Sequence, residues 1–342
     1  MKYAKEKLLL LSFGVLAGLL LAEVVLRLSG ISYPCFYRHD LSCGSMLRAG
    51  VTGNWLKEGG GYVSINSDGL RDREHAIVKP RNTLRIAVLG DSFTEAFQVD
   101  REDAFWAVME RELGTCKKLT GKNVEAINFG QSGFGTAMEL LALRHRVWKY
   151  SPDIVLLAFF TGNDISDNSR MLKKADHHPY FVYQGETLVL DNKGVTEAHD
   201  RYAGWWNDIR IWIFNRSRAL QLLDIGSTTL AEWFGRIPTD AADAKDDLLE
   251  PGLAEAIYRP PSDAVWKEAW RVTEGLLLVM RDEVREGGAE FRVIILGNSV
   301  VVHPDPSIRK KFERRLDVED LFYPDRRIKR FCEREGIPVL PL

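Results

Sequence analysis

The sequence has few cysteines and almost no excess charge of either sign. Its 342 residues carry a formal net charge of −2, which argues against a nucleic-acid partner, because such a partner requires a basic face. The four cysteines, Cys35, Cys43, Cys116 and Cys332, lack the spacing of metal ligands. We find no internal repeat and no low-complexity tract. The hydrophobic share of 45% is that of a packed globular protein, and the sequence indicates no metal and no organic cofactor.

One long apolar segment stands at the N-terminus. Leu8–Ala22 contains no charged residue, and Val24–Leu28 extends it beyond Glu23. A membrane-spanning helix needs about 20 apolar residues, and no small-x-small cleavage site follows, so we expect an uncleaved signal anchor over residues 1–30 rather than a signal peptide. The leading lysines keep the N-terminus cytoplasmic by the positive-inside rule, which places the rest of the chain across the membrane. These lysines are Lys2, Lys5 and Lys7.

Residues 31–83 are mixed in composition and rich in turn formers, and we expect a tether followed by a lead-in to the first strand. Cys35 and Cys43 lie close together just after the apolar segment. They form a disulfide if this region is exported, or they remain two unpaired thiols. The sequence leaves both alternatives open.

From Leu84 onward, strands and helices alternate, which predicts a doubly wound parallel sheet with right-handed crossovers. The predicted strands are Arg85–Leu89, Val124–Phe129, Ile154–Phe160, Arg292–Leu296 and Ile337–Leu340. The predicted helices are Ala104–Leu113, Ala137–Tyr150 and Val265–Glu286, followed by a basic helical stretch around Arg309–Arg315. We therefore expect one α/β domain over residues 84–342.

The alternation is interrupted over about residues 165–262, which predicts an insertion after the third strand. Pro179–Leu190 has the pattern of a β-hairpin that turns at Gln184-Gly185, and the acidic stretch Asp240–Glu250 is expected to be a solvated loop. Insertions at the edge of a rigid sheet usually determine which substrate is bound. The tryptophans of this insertion are expected to build its own small core, with a stacking surface for sugar or a cover for an acyl chain as the alternative. They are Trp205, Trp206, Trp212 and Trp233.

The stretch Leu84–Val99 has the pattern of a strand that ends in a functional loop. A buried apolar run stops at Gly90, and Asp91 and Ser92 follow at the start of a helical segment. In doubly wound sheets, ligands bind beyond the carboxyl ends of the strands. Ser92 is therefore a candidate nucleophile, although Ser92 to Glu95 also fits a capping box, which needs no chemistry.

Three successive strands end in small or amide-bearing residues, which meet at one rim of such a sheet. An attacking hydroxyl needs hydrogen-bond donors aimed at the oxyanion that forms. The backbone N–H groups of Ser92 and Gly133 and the side-chain amide of Asn163 would supply them. Each block alone also has a structural explanation as a turn. The three blocks are Gly90-Asp91-Ser92, Asn128 to Gly133, and Gly162-Asn163-Asp164.

In these three blocks the sequence resembles the SGNH (GDSL-type) hydrolases. The resemblance covers the chain from about Leu84 to the end. The resemblance implies a flavodoxin-like three-layer α/β/α sandwich, with Ser92 as the nucleophile and Gly133 and Asn163 in the oxyanion hole. The neighbouring Asp91 and Asp164 are predicted to bind substrate. Members of this family are esterases, lipases, carbohydrate deacetylases and some acyltransferases.

The sequence departs from the family in its general base, which is a histidine in an Asp-x-x-His block after the last strand. No such block follows Ile337, so we expect the C-terminal end to be missing and the chain as it stands to be nearly inactive, with a loss of roughly 10⁴–10⁶ in rate. His303 is a poor substitute because the order of its block is reversed. His177, His178 and His199 are predicted to be polar surface residues.

The sequence thus predicts a serine esterase or O-acyl hydrolase that acts on an ester, such as an acylated carbohydrate, through an acyl-serine intermediate. The alternatives are an O-acyltransferase for an exported polysaccharide and a degenerate carbohydrate-binding or assembly module. The apolar N-terminus is similar to that of membrane-anchored bacterial members of the family. This similarity implies a single-pass protein of the inner membrane, with its catalytic domain in the periplasm or outside the cell.

Overall fold

The structure is a computed structural model that describes residues 2–56, 60–202, 204–233 and 254–342. The predicted loop Asp240–Glu250 lies outside the described residues. In chain order the strands are β1 Tyr37–Asp40, β2 Gly44–Leu47, β3 Thr52–Trp55, β4 Gly61–Ser64, β5 Thr83–Gly90, β6 Asn123–Asn128, β7 Ile154–Phe160, β8 Tyr180–Gln184, β9 Thr187–Asp191, β10 Glu290–Leu296 and β11 Val339–Pro341. The helices are α1 Lys2–Leu28, α2 Ser92–Glu95, α3 Phe105–Gly114, α4 Thr136–Ala142, α5 Asp164–Asp167, α6 Arg170–Lys173, α7 Lys193–Tyr202, α8 Trp205–Arg216, α9 Arg218–Trp233, α10 Ala264–Glu286, α11 Ser299–Val302, α12 Pro306–Leu316 and α13 Tyr323–Arg334.

The central sheet consists of five parallel strands in the order β11-β10-β7-β5-β6. The central strand β7 and the Ile86–Leu89 part of β5 are continuous apolar runs, because both of their faces are covered. In β5, for example, Ala87, Val88 and Leu89 are completely buried. Counted along the chain, the strand order is 2-1-3-4-5, which is the flavodoxin-like order. The predicted parallel sheet is confirmed.

Helices cover both faces of this sheet. Ile86 and Val88 of β5 pack with Trp106 of α3 on one side, whereas Ala87 and Leu89 belong to the larger core with α4 and α10 on the other. Because alternate residues of a strand point to opposite faces, this division shows three layers. The predicted α/β/α sandwich is confirmed.

The helix predicted over Ala137–Tyr150 is not regular. The α-helical part, α4, ends at Ala142, and a π-helical turn over Leu143–Val147 and a 3₁₀ turn over Trp148–Tyr150 continue it. Ser151 then adopts φ +49° and ends the segment. Ser151 precedes Pro152, a position that disfavours the right-handed helical conformation.

Residues 31–83, for which the sequence predicts a tether and a lead-in, pack against the α/β domain. Their hairpins β1–β2 and β3–β4 share a small core with Phe97. Farther along, the buried His75 contacts Glu125 of β6, with 2.7 Å between Nδ1 and Oε1. Burial alone would lower the pKa of His75, but the Asp72 and Glu125 carboxylates raise it above its usual value. Cys35 and Cys43 are free thiols.

The chain between β7 and β10 contains the predicted hairpin, now β8–β9, whose pairing is antiparallel, followed by α7, α8 and α9. The tryptophans of α8 do not form a core, so the expectation of a small internal core is wrong for them. Trp205, Trp206 and Trp212 are 73%, 66% and 56% exposed. The Trp233 side chain lies outside what the structure describes.

The N-terminal helix α1 contains one segment, Leu9–Leu28, that is long and apolar enough to cross a membrane, with a mean hydropathy of 2.5. None of this segment is buried in the protein. Twenty helical residues span about 30 Å, the thickness of a bilayer's hydrocarbon core. A signal sequence would have the same properties.

Candidate active site

Ser92 lies where β5 turns into α2. Asp91 is the N-cap of this helix, because its Oδ1 accepts a hydrogen bond from the backbone N–H of Phe93 at 3.0 Å. The alternative in which Ser92 caps the helix through a Ser-x-x-Glu box is therefore wrong. Ser92 is the first helical residue and is half-buried. Its hydroxyl makes no hydrogen bond within the described part of the chain.

Two glycines allow the chain to close tightly around Thr94, in the helix that Ser92 begins. A Cβ on Gly90 would lie 2.1 Å from Thr94 Oγ1, and a Cβ on Gly130 would lie 2.4 Å from Thr94 Cβ. Thr94 is completely buried, so a side chain at either glycine would push α2 and its serine out of place. The close packing around Thr94 therefore requires glycine at position 90 of the first motif and at position 130 of the second.

The loop after β6 brings Gly133 to the same place. Asn128 holds the start of this loop, because its Oδ1 accepts from the Gly130 N–H at 2.8 Å and its Nδ2 donates to the Arg71 carbonyl at 3.1 Å. Gly133 has φ +82°, the left-handed conformation that favours glycine. Its Cα faces open space, which leaves room for a ligand beside its backbone.

Asn163 follows β7 and is half-buried. Its backbone carbonyl accepts hydrogen bonds from Ser166 Oγ and the Asp167 N–H, both at 2.8 Å. These contacts fix the residue at the start of α5. Its side-chain amide makes no hydrogen bond to the described residues, and the Oδ1 atom is buried without a partner there. The N–H groups of this amide therefore remain unused by the fold.

A cavity of about 690 Å³ joins these three positions, since Ser92, Gly133 and Asn163 all line it. They come from the loops after β5, β6 and β7, at the carboxyl edge of the sheet. A serine hydroxyl and two groups with N–H donors are thus gathered in one recess, as the sequence predicts. The arrangement suits attack on a carbonyl whose oxygen becomes an anion.

Asp91 and Asp164 lie beneath this recess rather than on its wall, which differs from the predicted contact with substrate. Both are completely buried. Asp164 Oδ2 accepts from the Phe160 backbone N–H at 2.7 Å and so closes the turn after β7. We assign both carboxyls to holding the loops that carry Ser92 and Asn163.

Glu139 of α4 adds a third carboxyl to this buried group, which the sequence did not single out. Neither of its oxygens has a hydrogen-bond partner in the described residues. Burial, and then the nearby Asp91 and Asp167, raise its pKa well above the usual value. Burial, Glu139 and Asp91 act in the same way on Asp164. Glu139 and Asp164 therefore favour their protonated forms.

Glu95 lies on the cavity wall and holds the loop of Gly133. Its carboxyl accepts a hydrogen bond from the Ser132 backbone N–H, and its Oε2 accepts from the Tyr37 hydroxyl at 2.8 Å. Burial raises the pKa of Glu95 to about 8, although both hydrogen bonds act to lower it. The Ser-x-x-Glu pattern in the sequence indicates Glu95 only as part of a helix cap and does not predict its contacts with Tyr37 and Ser132.

Two histidines of the insertion, His177 and His178, also line this cavity, so their prediction as polar surface residues is wrong for His178, which is buried. Burial, then His177 and Lys173, lower the pKa of His178 to about 4. His178 is therefore neutral near pH 7. His303 does not line the cavity, and its Nδ1 accepts from the Asp305 N–H at 3.0 Å.

A second cavity of about 540 Å³ adjoins the first and shares Tyr37, Ser45 and His177 with it. Its wall is rich in basic and aromatic side chains. They include Arg38, His39, Arg48, His199, Tyr202, Trp205 and Arg210. The rings of His39 and Tyr202 stack with 4.7 Å between their centroids. Among the described residues, no group of three or more His, Cys, Asp or Glu is arranged to hold a metal ion.

No family model matches the chain, and no curated protein matches it. Solved structures that it resembles include a putative acylhydrolase from Bacteroides fragilis, with 12% identity, 75% of this chain and 67% of the other covered, and a TM-score of 0.30. A GDSL-like lipase from Bacteroides thetaiotaomicron has 12% identity, coverages of 78% and 72% and a TM-score of 0.30. The esterase EstA from Pseudoalteromonas has 11% identity, coverages of 76% and 77% and a TM-score of 0.30. At these TM-scores, the description of the fold and the site rests on the sheet order and the cavity.

Proposed function

We propose that this protein is a membrane-anchored serine esterase or O-acyl hydrolase with Ser92 as its nucleophile. One observation carries the proposal: Ser92, Gly133 and Asn163 line the same cavity at the carboxyl edge of the sheet. The motif resemblance to the SGNH hydrolases gives the same three residues these roles.

In the proposed reaction, Ser92 Oγ attacks the carbonyl carbon of an ester. The carbonyl π electrons move to its oxygen, which becomes an oxyanion held by the Ser92 and Gly133 N–H groups and the Asn163 amide. When the oxyanion collapses, the alcohol leaves with a proton and Ser92 carries the acyl group. Water then attacks this acyl-enzyme and releases the acid.

The proton of the Ser92 hydroxyl must pass to a base. By the family resemblance this base is a histidine of an Asp-x-x-His block. His177 and His178 line the cavity, but the Ser92 hydroxyl hydrogen-bonds to neither of them. We therefore assign the base to no residue of the described chain.

The proposal includes a location. Helix α1 would span the inner membrane with Lys2 and its neighbours in the cytoplasm, and the α/β domain would face the periplasm. Support comes from the high hydropathy of Leu9–Leu28, none of which is buried in the protein, because a helix of this kind needs a lipid environment to cover it.

A fluorophosphonate probe tests the proposed nucleophile in the full-length protein, because it reacts covalently with activated serines. We expect labelling of the wild type and its loss in Ser92→Ala. Ser132→Ala is the matched control, since Ser132 lines the same cavity, and it should label like the wild type. Equal labelling of Ser92→Ala and the wild type would overturn the proposal, and an unlabelled wild type would favour a binding module.

The second cavity favours O-acyl transfer as a second candidate function. It opens beside the first through shared residues, which gives space for an acceptor next to the acyl-serine. Its arginines and aromatic rings are groups that commonly bind carbohydrate. Product analysis with and without an added polysaccharide separates the two functions, because a transferase makes the acylated polysaccharide and a hydrolase makes the free acid.

A further inference from the structure

The hairpin formed by α8 and α9 presents a large apolar surface that no described part of the protein covers. Its residues recur at helical spacing along one side of α8 and continue onto α9. They are Trp205, Trp206, Ile209, Trp212, Ile213, Leu220 and Leu223, and each is at least 40% exposed. We call this set the hairpin surface. Exposed apolar patches of this kind mark contacts with a protein or a membrane.

The hairpin is attached to the end of the apolar helix α1. Glu23 of α1 accepts hydrogen bonds from the Ala219 N–H at 3.0 Å and from Ser217 Oγ at 3.2 Å, where α8 ends and α9 begins. Arg27, one turn later in α1, donates to the carbonyl of Arg216 at the end of α8. The junction of α8 and α9, which Ile213 and Leu220 of the hairpin surface flank, therefore lies beside the last two turns of the segment that would cross the bilayer.

The composition of the hairpin surface fits the boundary between lipid and water. Tryptophan is enriched at this depth because its ring is apolar and its N–H is polar. At this depth an arginine side chain can place its guanidinium among the lipid headgroups while its aliphatic part packs against apolar atoms. The two residue types occur together in α8, where the guanidinium carbon of Arg216 lies 4.1 Å from the centroid of the Trp212 ring.

We propose that the hairpin surface lies in the interfacial layer of the same phospholipid bilayer that α1 spans. The inference rests on the proposed membrane anchor. It adds a second contact with lipid, which fixes the orientation of the domain. Residues of α8 and α9, among them Ile209, Arg210 and Leu223, line a groove between the two helices. Arg210 also lines the second cavity, so α8 stands between the bilayer and the cavities that lead to Ser92.

Tryptophan fluorescence of the full-length protein in phosphatidylcholine–phosphatidylglycerol vesicles tests this contact, with brominated phosphatidylcholine as the quencher. The chain has nine tryptophans, so the measurement compares variants. We expect the brominated lipid to quench the wild type, and W205F/W206F/W212F to lose most of the quenched signal. The matched control is W148F, since Trp148 packs against Gly287 inside the α/β domain, and it should keep the quenched signal.

An unchanged quenched signal in W205F/W206F/W212F would overturn the proposal. If cross-linking then gave dimers that this variant does not form, the hairpin surface would be assigned to a second copy of the chain. Extraction of the membranes with alkaline carbonate tests the anchor separately. Release of the protein would contradict the anchor itself, whereas retention with unchanged quenching would contradict only the docking of the hairpin.

Discussion

The rim of the sheet that carries Ser92, Gly133 and Asn163 and the hairpin surface depart from ordinary protein structure in opposite directions. The rim buries the carboxyls of Asp91, Glu139 and Asp164 completely, whereas the hairpin surface exposes large apolar side chains such as Trp206. Buried polar groups and exposed apolar patches are the informative exceptions to the usual distribution of residues. Here one exception surrounds the candidate nucleophile and the other borders the candidate membrane helix.

The comparison teaches where each region obtains its stability. Burying an ionisable group is unfavourable, so Glu139 and Asp164 favour protonation, and the Phe160 N–H donates to Asp164. The hairpin surface instead depends on something outside the described chain to cover it. Changes at Ser92, Asn163 or Glu95 should therefore alter chemistry or its pH dependence, whereas changes at Trp206 or Trp212, which line neither of the two cavities, should alter neither.

The largest effect is expected for Asn163→Ala. Removing one oxyanion donor lowers turnover by about 10²–10³-fold, and KM should change little because the donor acts mainly on the transition state. Steady-state kinetics of the full-length protein on a soluble ester would measure both constants. Ser45→Ala, another change at the cavity wall, serves as the control and should leave turnover nearly unchanged. A loss no greater in Asn163→Ala than in this control would remove Asn163 from the oxyanion hole.

A smaller effect, dependent on pH, is expected for Glu95→Gln. Because the pKa of Glu95 is about 8, its carboxyl is neutral at lower pH and becomes an anion at higher pH. An anion beside the Ser132–Gly133 loop opposes the developing oxyanion, so wild-type kcat/KM should fall as the pH rises through about 8, by up to about ten-fold per unit.

Glu95→Gln removes this ionisation and should flatten that part of the pH profile. Below pH 7 the variant should stay within about three-fold of the wild type, because the amide oxygen still accepts the Ser132 N–H. The profile of kcat/KM between pH 6 and 10 is the measurement. A falling limb that persists unchanged in Glu95→Gln would assign the ionisation to another group.

Glu139→Gln should change stability rather than catalysis. The folded protein raises the pKa of Glu139 above its unfolded value, so the unfolded state loses its proton first. Stability is then fully present below the unfolded pKa and falls as the pH rises toward the folded pKa. Denaturant unfolding at pH 5 and pH 8 would show this loss in the wild type. Glu139→Gln should lose less and be more stable at pH 8, by about 1–3 kcal/mol. Equal losses in both proteins would contradict this account.

The sequence predicts the parts of this molecule that depend on local patterns. The buried runs of β5 and β7 are visible as continuous apolar stretches, and the residues that follow β5, β6 and β7 identify Ser92, Gly133 and Asn163. The role of Glu95 is not visible, because it depends on Tyr37 and Ser132, which only the fold brings to it. Burial of His178 is hidden for the same reason.

The sequence does not predict the exposure of the α8 tryptophans either, because tryptophan fills the core elsewhere in the protein. Trp270 of α10 is completely buried, and its ring meets that of Tyr323 edge-on, with centroids 6.2 Å apart. A helical pattern of apolar residues indicates that one face of the helix is shielded from water. It does not indicate whether protein or lipid covers that face.

The smallest effect is therefore expected for Trp212→Ala, measured against Trp270→Ala. The buried ring of Trp270 should cost about 3–5 kcal/mol when truncated, because a cavity remains in the core. Truncating Trp212 should change the free energy of unfolding by no more than about 0.5 kcal/mol, the range of ordinary surface substitutions. Near-UV circular dichroism during denaturation of the full-length protein in mild detergent would follow the core in both variants. A cost for Trp212→Ala as large as that for Trp270→Ala would mean that the hairpin is part of the cooperative core, and the contrast between rim and hairpin surface would then be lost.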